Sequence, residues 1–316
     1  MSPPWVELGL ARSSDTNKEP SGIEHVVIGP IIVLTLVKGA VYALLASGMT
    51  LIFGAARMIN MVHTAFAMLA AYGMFYLMRE LGLGIAESSL IVLLAVVLLS
   101  LAVYQGLLNR VRQHPQAILL ITMALAMVFQ ELMQLRFTGT PRPVLPFIDG
   151  RTVVFGVRVM NQHLLIVGAT VVVIIIIMLV LRKTKLGITI RAVADDPETA
   201  NLMGISVPRT LLITMGLGTA LAAVTGILMS PLWTITPWMW LSPLTMILVI
   251  IVLGGLGSIK GSIIGALIIA LVENLVVFLL PRYAFLNTTF ALAIMAIVLA
   301  VRPGGLFGIM FEEERL

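Results

Sequence analysis

The chain of 316 residues has no cysteine and little charge, with 11% Asp, Glu, Lys and Arg, where soluble domains carry about 25%. Without cysteine there is no disulfide, no thiolate metal site and no cysteine nucleophile. The four histidines, His25, His63, His114 and His163, show neither H-E-x-x-H nor paired metal-ligand spacing. No G-x-x-x-x-G-K-[ST] run occurs, so a P-loop phosphate cradle is excluded; Lys260 follows Ile259 in a Gly-rich turn. No G-x-S-x-G elbow is present. Intramembrane carboxylates are few: Glu131, and Glu273 beside Asn274. A proton relay needs a chain of such groups, and these stand apart.

Apolar sequence is what the chain has instead. It is 59% hydrophobic, with a mean hydropathy of +1.08. Runs long enough to cross about 30 Å of hydrocarbon recur. They predict an all-α, polytopic transmembrane bundle of eight to nine segments, near 30–54, 58–78, 88–108, 116–137, 163–181, 210–232, 244–253, 261–280 and 285–301. The segment at 244–253 is short and bounded by glycine, which suits a broken or re-entrant helix. Residues 1–24 are polar and lack the basic start and immediate apolar run of a signal peptide, so a polar tail is expected there. The membrane-spanning domain is expected over 25–308 and a cytoplasmic tail over 309–316. Trp233, Trp238 and Trp240 cluster as interfacial tryptophans do.

The net charge of +5 comes from basic residues scattered between apolar runs, with no basic patch interleaved with aromatics. That excludes a nucleic-acid surface and points to topology-setting loops. Nine crossings place Arg57, Arg110, Arg112, Arg182, Lys183, Lys185, Arg191, Arg209, Lys260, Arg302 and Arg315 on one side, and Arg12, Lys18, Arg79, Arg136, Arg142, Arg151, Arg158 and Arg282 on the other. The bias is strongest at Arg182–Lys185, so the loop 182–209 and the C-terminus are expected in the cytoplasm and the N-terminus outside.

That loop has its own helix grammar. Asp196 suits an N-cap, Pro197 the first helical position and Glu198 the positive end of the dipole. Gly204 stands where a helix closes in the left-handed conformation. Helices of two turns are marginal in water, so a capped one between spans implies docking against another body; a well-capped surface loop is the plainer alternative. Asn60 and His63 lie three apart beyond Gly54, which on a helix gives one face. They are candidates for lining a substrate route, or for hydrogen-bonding backbone at the break. Lys38 is expected to snorkel or face the bundle interior. Glu273 is a candidate to neutralise Lys260 or Arg282, or to join helices. The stretches 51–63 and 252–261 share a plan of apolar helix, break with one basic residue, and small-residue helix, which hints at an internal repeat.

Four motifs, in order, resemble one family. Arg191-Ala-x-Ala-x-Asp196 with Ala200 and Gly204-Ile205 resembles a cytoplasmic coupling loop. Met58-Ile-Asn60 with His63, Leu253-Gly-Gly-Leu-Gly-Ser258 with Gly261, and Arg302-Pro-Gly-Gly-Leu-Phe-Gly308 agree with it. The family is that of the LivH/LivM permease subunits of branched-chain amino acid ABC importers, and the opening at Tyr42 leans to the LivH branch. The resemblance implies a multi-pass permease of the bacterial inner membrane without catalytic residues. It implies a LivM-like partner, two LivG/LivF-like ATPases that hold the ATP and Mg, and an extracytoplasmic substrate-binding protein. It implies ATPase coupling through Arg191, Ala194, Asp195, Asp196, Pro197, Glu198, Ala200, Leu202, Met203 and Gly204, with Ala200, Leu202 and Met203 as contacts. The chain departs from the family at Met61-Val62 and Thr64, where small residues and a glycine are usual, so a route lined by this segment would be more hydrophobic and leucine-type cargo does not follow from the resemblance; the wider family also moves urea, short amides and aromatic acids. The rival class is a self-sufficient ion-coupled transporter using Glu131, Glu273 and His63.

Overall fold

A computed structural model describes residues 21–154 and 156–307. The expected tails at 1–20 and 309–316 lie outside the described residues. Residues 21–24, assigned to the tail by composition, open the first helix.

That helix, α1 (Ser21–Ala56), is followed by α2 (His63–Phe75), α3 (Ile85–Gly106), α4 (Pro115–Phe137), α5 (Asn161–Lys183), α6 (Lys185–Asp195), α7 (Pro197–Leu202), α8 (Val207–Met229), α9 (Leu241–Gly254), α10 (Ile259–Leu279) and α11 (Asn287–Val301). Among the described residues, seven helices are long and apolar enough to cross a membrane. Two of the shorter helices, α2 and α9, also connect opposite ends of the bundle. α2 runs on as a π-helical turn over Tyr76–Glu80, which brings its length to about 27 Å. At one end of that span Arg57 meets the carbonyls of Ala194 and Asp195; at the other Glu80 pairs with Arg136. α9 is bounded by an Arg142–Ile235 bridge in the loop before it and by Leu306 and Phe307 bonding to Leu253 and Gly254 at its end. With these two, nine segments run between the two ends, and 57–62, 184–206, 255–258 and 302–307 gather at one basic end.

α1 and α8 are the most buried spans, whereas α5 and α11 expose most of their apolar surface, as hydrocarbon-facing helices do. Small residues let the centre close. A Cβ on Gly226 of α8 would stand 2.1 Å from the carbonyl oxygen of Ala67 in α2. One on Gly218 would stand 2.9 Å from the carbonyl oxygen of Gly48 in α1. Backbones this close gain dispersion contacts that larger side chains would prevent. Hydroxyls on α1 and α10 add a tie, Thr50 to Ser262 at 2.5 Å.

The two stretches of similar plan meet. A Cβ on Gly54 would lie 3.7 Å from Cα of Gly257, and α1 packs on α10 while α2 packs on α9. The first break is not at Gly54, however. α1 runs to Ala56 and turns at Arg57, which adopts φ +50°. Asn60 is likewise in the break and not on the helix that begins at His63, so the two do not share a helical face. Trp240 is buried and donates to Gln130 Oε1 at 2.9 Å; Trp238 alone of that trio is strongly exposed. At the end opposite the basic one, β1 (Arg151–Val154) and β2 (Val157–Met160) form an antiparallel hairpin with Arg151 opposite Met160. Each strand has four residues, too few for an alternating pattern to stand out from a loop.

A candidate coupling site at the basic end

The site is built from the chain's return out of α5. Thr184 caps α6 by accepting from the amide of Gly187 at 3.2 Å. Gly187 allows a sharp fold-back, since a Cβ there would sit 2.1 Å from the Leu181 carbonyl oxygen. Gly187, Ile190 and Val193 are buried at the spacing of one helical face. They seat α6 against α1, α5 and α8. This helix was legible as that spacing after a threonine, but a polar loop reading passes over it. At its end, Arg57 Nη2 donates to the carbonyls of Ala194 and Asp195, both at 3.3 Å. A cation suits the negative end of a helix. No local signal tied Arg57 to residues so distant in sequence.

α7 follows after one extended residue. Asp196 Oδ1 accepts from the amides of Glu198 at 2.9 Å and Thr199 at 3.3 Å, and its other oxygen accepts from the Thr199 hydroxyl. The Thr199 bonds first, then the Glu198 amide, hold the Asp196 carboxyl below its ordinary pKa, because each favours the charged form. Pro197 stands at the first position and Glu198 in the first turn. Gly204 has φ +84°. Its amide bonds to Asn201, and that of Ile205 to Ala200, each at 3.0 Å, which closes the helix in a Schellman motif.

The side chains of α7 divide in a way the pattern did not show. Ala200 is 4% exposed and faces its own chain, so it anchors the helix and is removed from the contact surface. Leu202 and Met203 are 85% and 78% exposed. Arg191 and Ala194 belong to α6 and border a cleft of about 270 Å³ shared with α1, α5 and the turn before α10. Asp195, Asp196 and Glu198 are exposed. The turn of glycines at 254–261 backs this end. A Cβ on Gly261 would stand 2.0 Å from the carbonyl oxygen of Gly254. Gly255, Gly257 and Gly305 take positive φ, and the 302–307 segment seats on the turn, so two sequence motifs make one structure.

Asn60 and His63 are brought into the core. They are 2% and 0% exposed. His63 Nε2 bonds to the Leu45 carbonyl of α1 at 3.1 Å, and Asn60 Nδ2 approaches the Met215 sulfur of α8 at 4.0 Å. Of the departing residues, Val62 and Thr64 are buried beside them and Met61 is half-buried. Glu273 pairs with Lys38 at 2.9 Å across α1 and α10, in place of Lys260 or Arg282. Asn274 donates to Thr35 at 3.2 Å between the same helices. Glu131 is exposed and accepts from Gln130 at 3.2 Å. These groups do not form one chain of proton carriers.

Apolar spans around a glycine-packed centre, with a capped helix projecting at the basic end, define an all-α polytopic membrane protein. The family model described as "Branched-chain amino acid transport system / permease component" matches residues 31–301, and the chain belongs to that family. It is similar to the high-affinity branched-chain amino acid transport system permease protein LivH of Escherichia coli K12, 29% identical over 289 residues that cover 85% of this chain and 92% of the relative. It is 28% identical, over 86% of this chain and 93% of the relative, to BraD of Pseudomonas aeruginosa, a permease protein of the same description. A probable LivH of Methanocaldococcus jannaschii is 27% identical over 85% of this chain and 89% of its own. No solved structure matches.

Proposed function

We propose that this permease forms one half of the pathway of an ATP-driven importer in the bacterial cytoplasmic membrane. Its cargo is branched-chain amino acids or related small hydrophobic, amide or carboxylate solutes. A LivM-like subunit supplies the other half, two LivG/LivF-like ATPases bind and hydrolyse ATP with Mg, and an extracytoplasmic binding protein delivers cargo. The chain itself uses no cofactor. The basic end faces the cytoplasm, in keeping with the loop charges. There α7 enters a cleft of one ATPase through Leu202 and Met203. Arg191, Asp195 and Glu198 flank that contact, while Asp196, Pro197 and Gly204 hold the helix rigid. Closure of the ATPases moves α7, and the face of α6 seated on α1 and α8 passes the movement to the centre.

The observation that carries this reading is the division of α7: one small side chain anchored inward, two large apolar ones presented outward at the basic end. Apolar exposure of that kind beyond the hydrocarbon belt is the mark of a protein contact. Purification from native membranes tests it. The account expects ATPases in the complex and ATP hydrolysis stimulated by the loaded binding protein. Uptake by this chain alone, in ATP-free vesicles under an ion gradient, contradicts it. Asn60 and His63 are read here as ties between α1, α2 and α8, with their placement as route-lining groups the competing assignment. Asn60→Leu decides: unaltered selectivity with lowered stability supports the tie, whereas slowed transport in a complex of normal stability supports the route.

A further inference from the structure

The cleft at the basic end has a two-part lining. Its inner wall is apolar and made by spans, Leu51 of α1 with Met178 and Leu181 of α5. Its rim carries three cations from three elements, Arg182 of α5, Arg191 of α6 and Lys260 of α10. Among the described residues, no carboxylate lines it. The turn Gly257-Ser258 places the start of α10 at the rim as well, and that end of a 21-residue helix is electropositive. Ile175, Ile176 and Leu179, within two turns of Leu181 on α5, are exposed apolar side chains. With the basic end facing the cytoplasm, the orientation proposed above on which this rests, the cleft lies at the level where chains of the inner leaflet end.

We propose that this cleft binds the headgroup and upper acyl carbons of an acidic phospholipid, held between α6 and the ends of α1 and α5. Charge complementarity selects the anionic headgroup, since basic pockets between spans near the cytoplasmic surface attract such lipids. The apolar wall selects a lipid over free phosphate, which would leave Leu51, Met178 and Leu181 against water. Because the rim includes Arg191 and the wall reaches Ile190, the lipid steadies the seat of α6, and the lever works best in an acidic bilayer. The site is read by binding alone, so its failure and a failure of the coupling role separate.

The test uses the purified full importer complex. Phosphatidylglycerol retained after delipidation is counted by native mass spectrometry, for the wild type and for the double variant Arg182→Gln, Lys260→Gln. The wild type is expected to hold the lipid against a large excess of phosphatidylcholine or inorganic phosphate. The variant is expected to bind it about tenfold more weakly. Equal retention in both, or displacement by phosphate, overturns the proposal. A photoactivatable phosphatidylglycerol in native membranes gives a second readout without any variant. Labelling of 178–182 or 257–260 supports the site, and labelling confined to α3, α4 and α11 overturns it.

Discussion

Gly204 has φ +84° and no heavy atom within 4 Å of where its Cβ would stand. Backbone conformation alone therefore sets its requirement. Asparagine tolerates that region and proline does not, and proline also removes the amide that bonds to Asn201. Gly204→Asn should transport nearly as the wild type. Gly204→Pro should keep ATP hydrolysis but lower uptake about tenfold or more, as expected when a constrained turn is broken. Equal uptake in both would remove the lever from the mechanism. Asp196 adds a pH statement. Its folded pKa is depressed below the ordinary 3.8, so its capping contribution is present above that value and lost only as pH falls through the depressed one. Hydrogen exchange over 197–203, corrected for intrinsic rates, should thus show the same protection from about pH 5 to pH 8. Asp196→Ala should lower it throughout, and a loss of protection between pH 7 and pH 5 in the wild type would contradict the assignment. Caps and closing glycine were legible because each needs one residue type at one position. The inward turn of Ala200 was not, because a short helix of mixed composition does not show which side is covered.

At the scale of elements, the closest approaches make sharp contrasts. Gly261 meets the backbone of Gly254, which cannot yield as a flexible side chain does, whereas a Cβ on Gly168 meets nothing within 4 Å. Gly261→Ala should cost about 1–3 kcal/mol by overpacking and lower the temperature at which the detergent-solubilised subunit aggregates. Gly168→Ala should hold or raise it. The α1–α10 ion pair makes a second contrast. Glu273→Gln leaves Lys38 without its counter-charge and should cost about 3 kcal/mol. The double variant Lys38→Met, Glu273→Leu should recover most of that and still transport. Transport abolished in a stable double variant would favour the ion-coupled rival. The spans themselves were legible in apolar length. The identity of the partner of Glu273 was not, since Lys38 lies at the far end of the sequence and only the packing of α1 on α10 brings them together. The hairpin β1–β2 and the seating of α6 were hidden for the same reason: their short apolar spacings acquire meaning from what they pack against.

At the scale of the molecule, charge placed the loops in two sets, and the contacts of Arg57 with α6, of Glu80 with Arg136 and of Leu306 with Leu253 sort those loops the same way. The absence of cysteine turns into an experimental asset, because Met203→Cys introduces the chain's only thiol. If α7 docks in an ATPase, a short thiol-reactive cross-linker on that variant should capture an ATPase subunit in the assembled importer, with a yield that changes between the nucleotide-free and ATP-bound states. The same thiol should resist a membrane-impermeant reagent added to intact cells. Leu202→Glu should weaken the capture about tenfold, the scale of one apolar anchor of ~1.5–3 kcal/mol. No cross-link in any nucleotide state, or rapid labelling from outside the cell, would contradict the central claim that force enters this permease through α7.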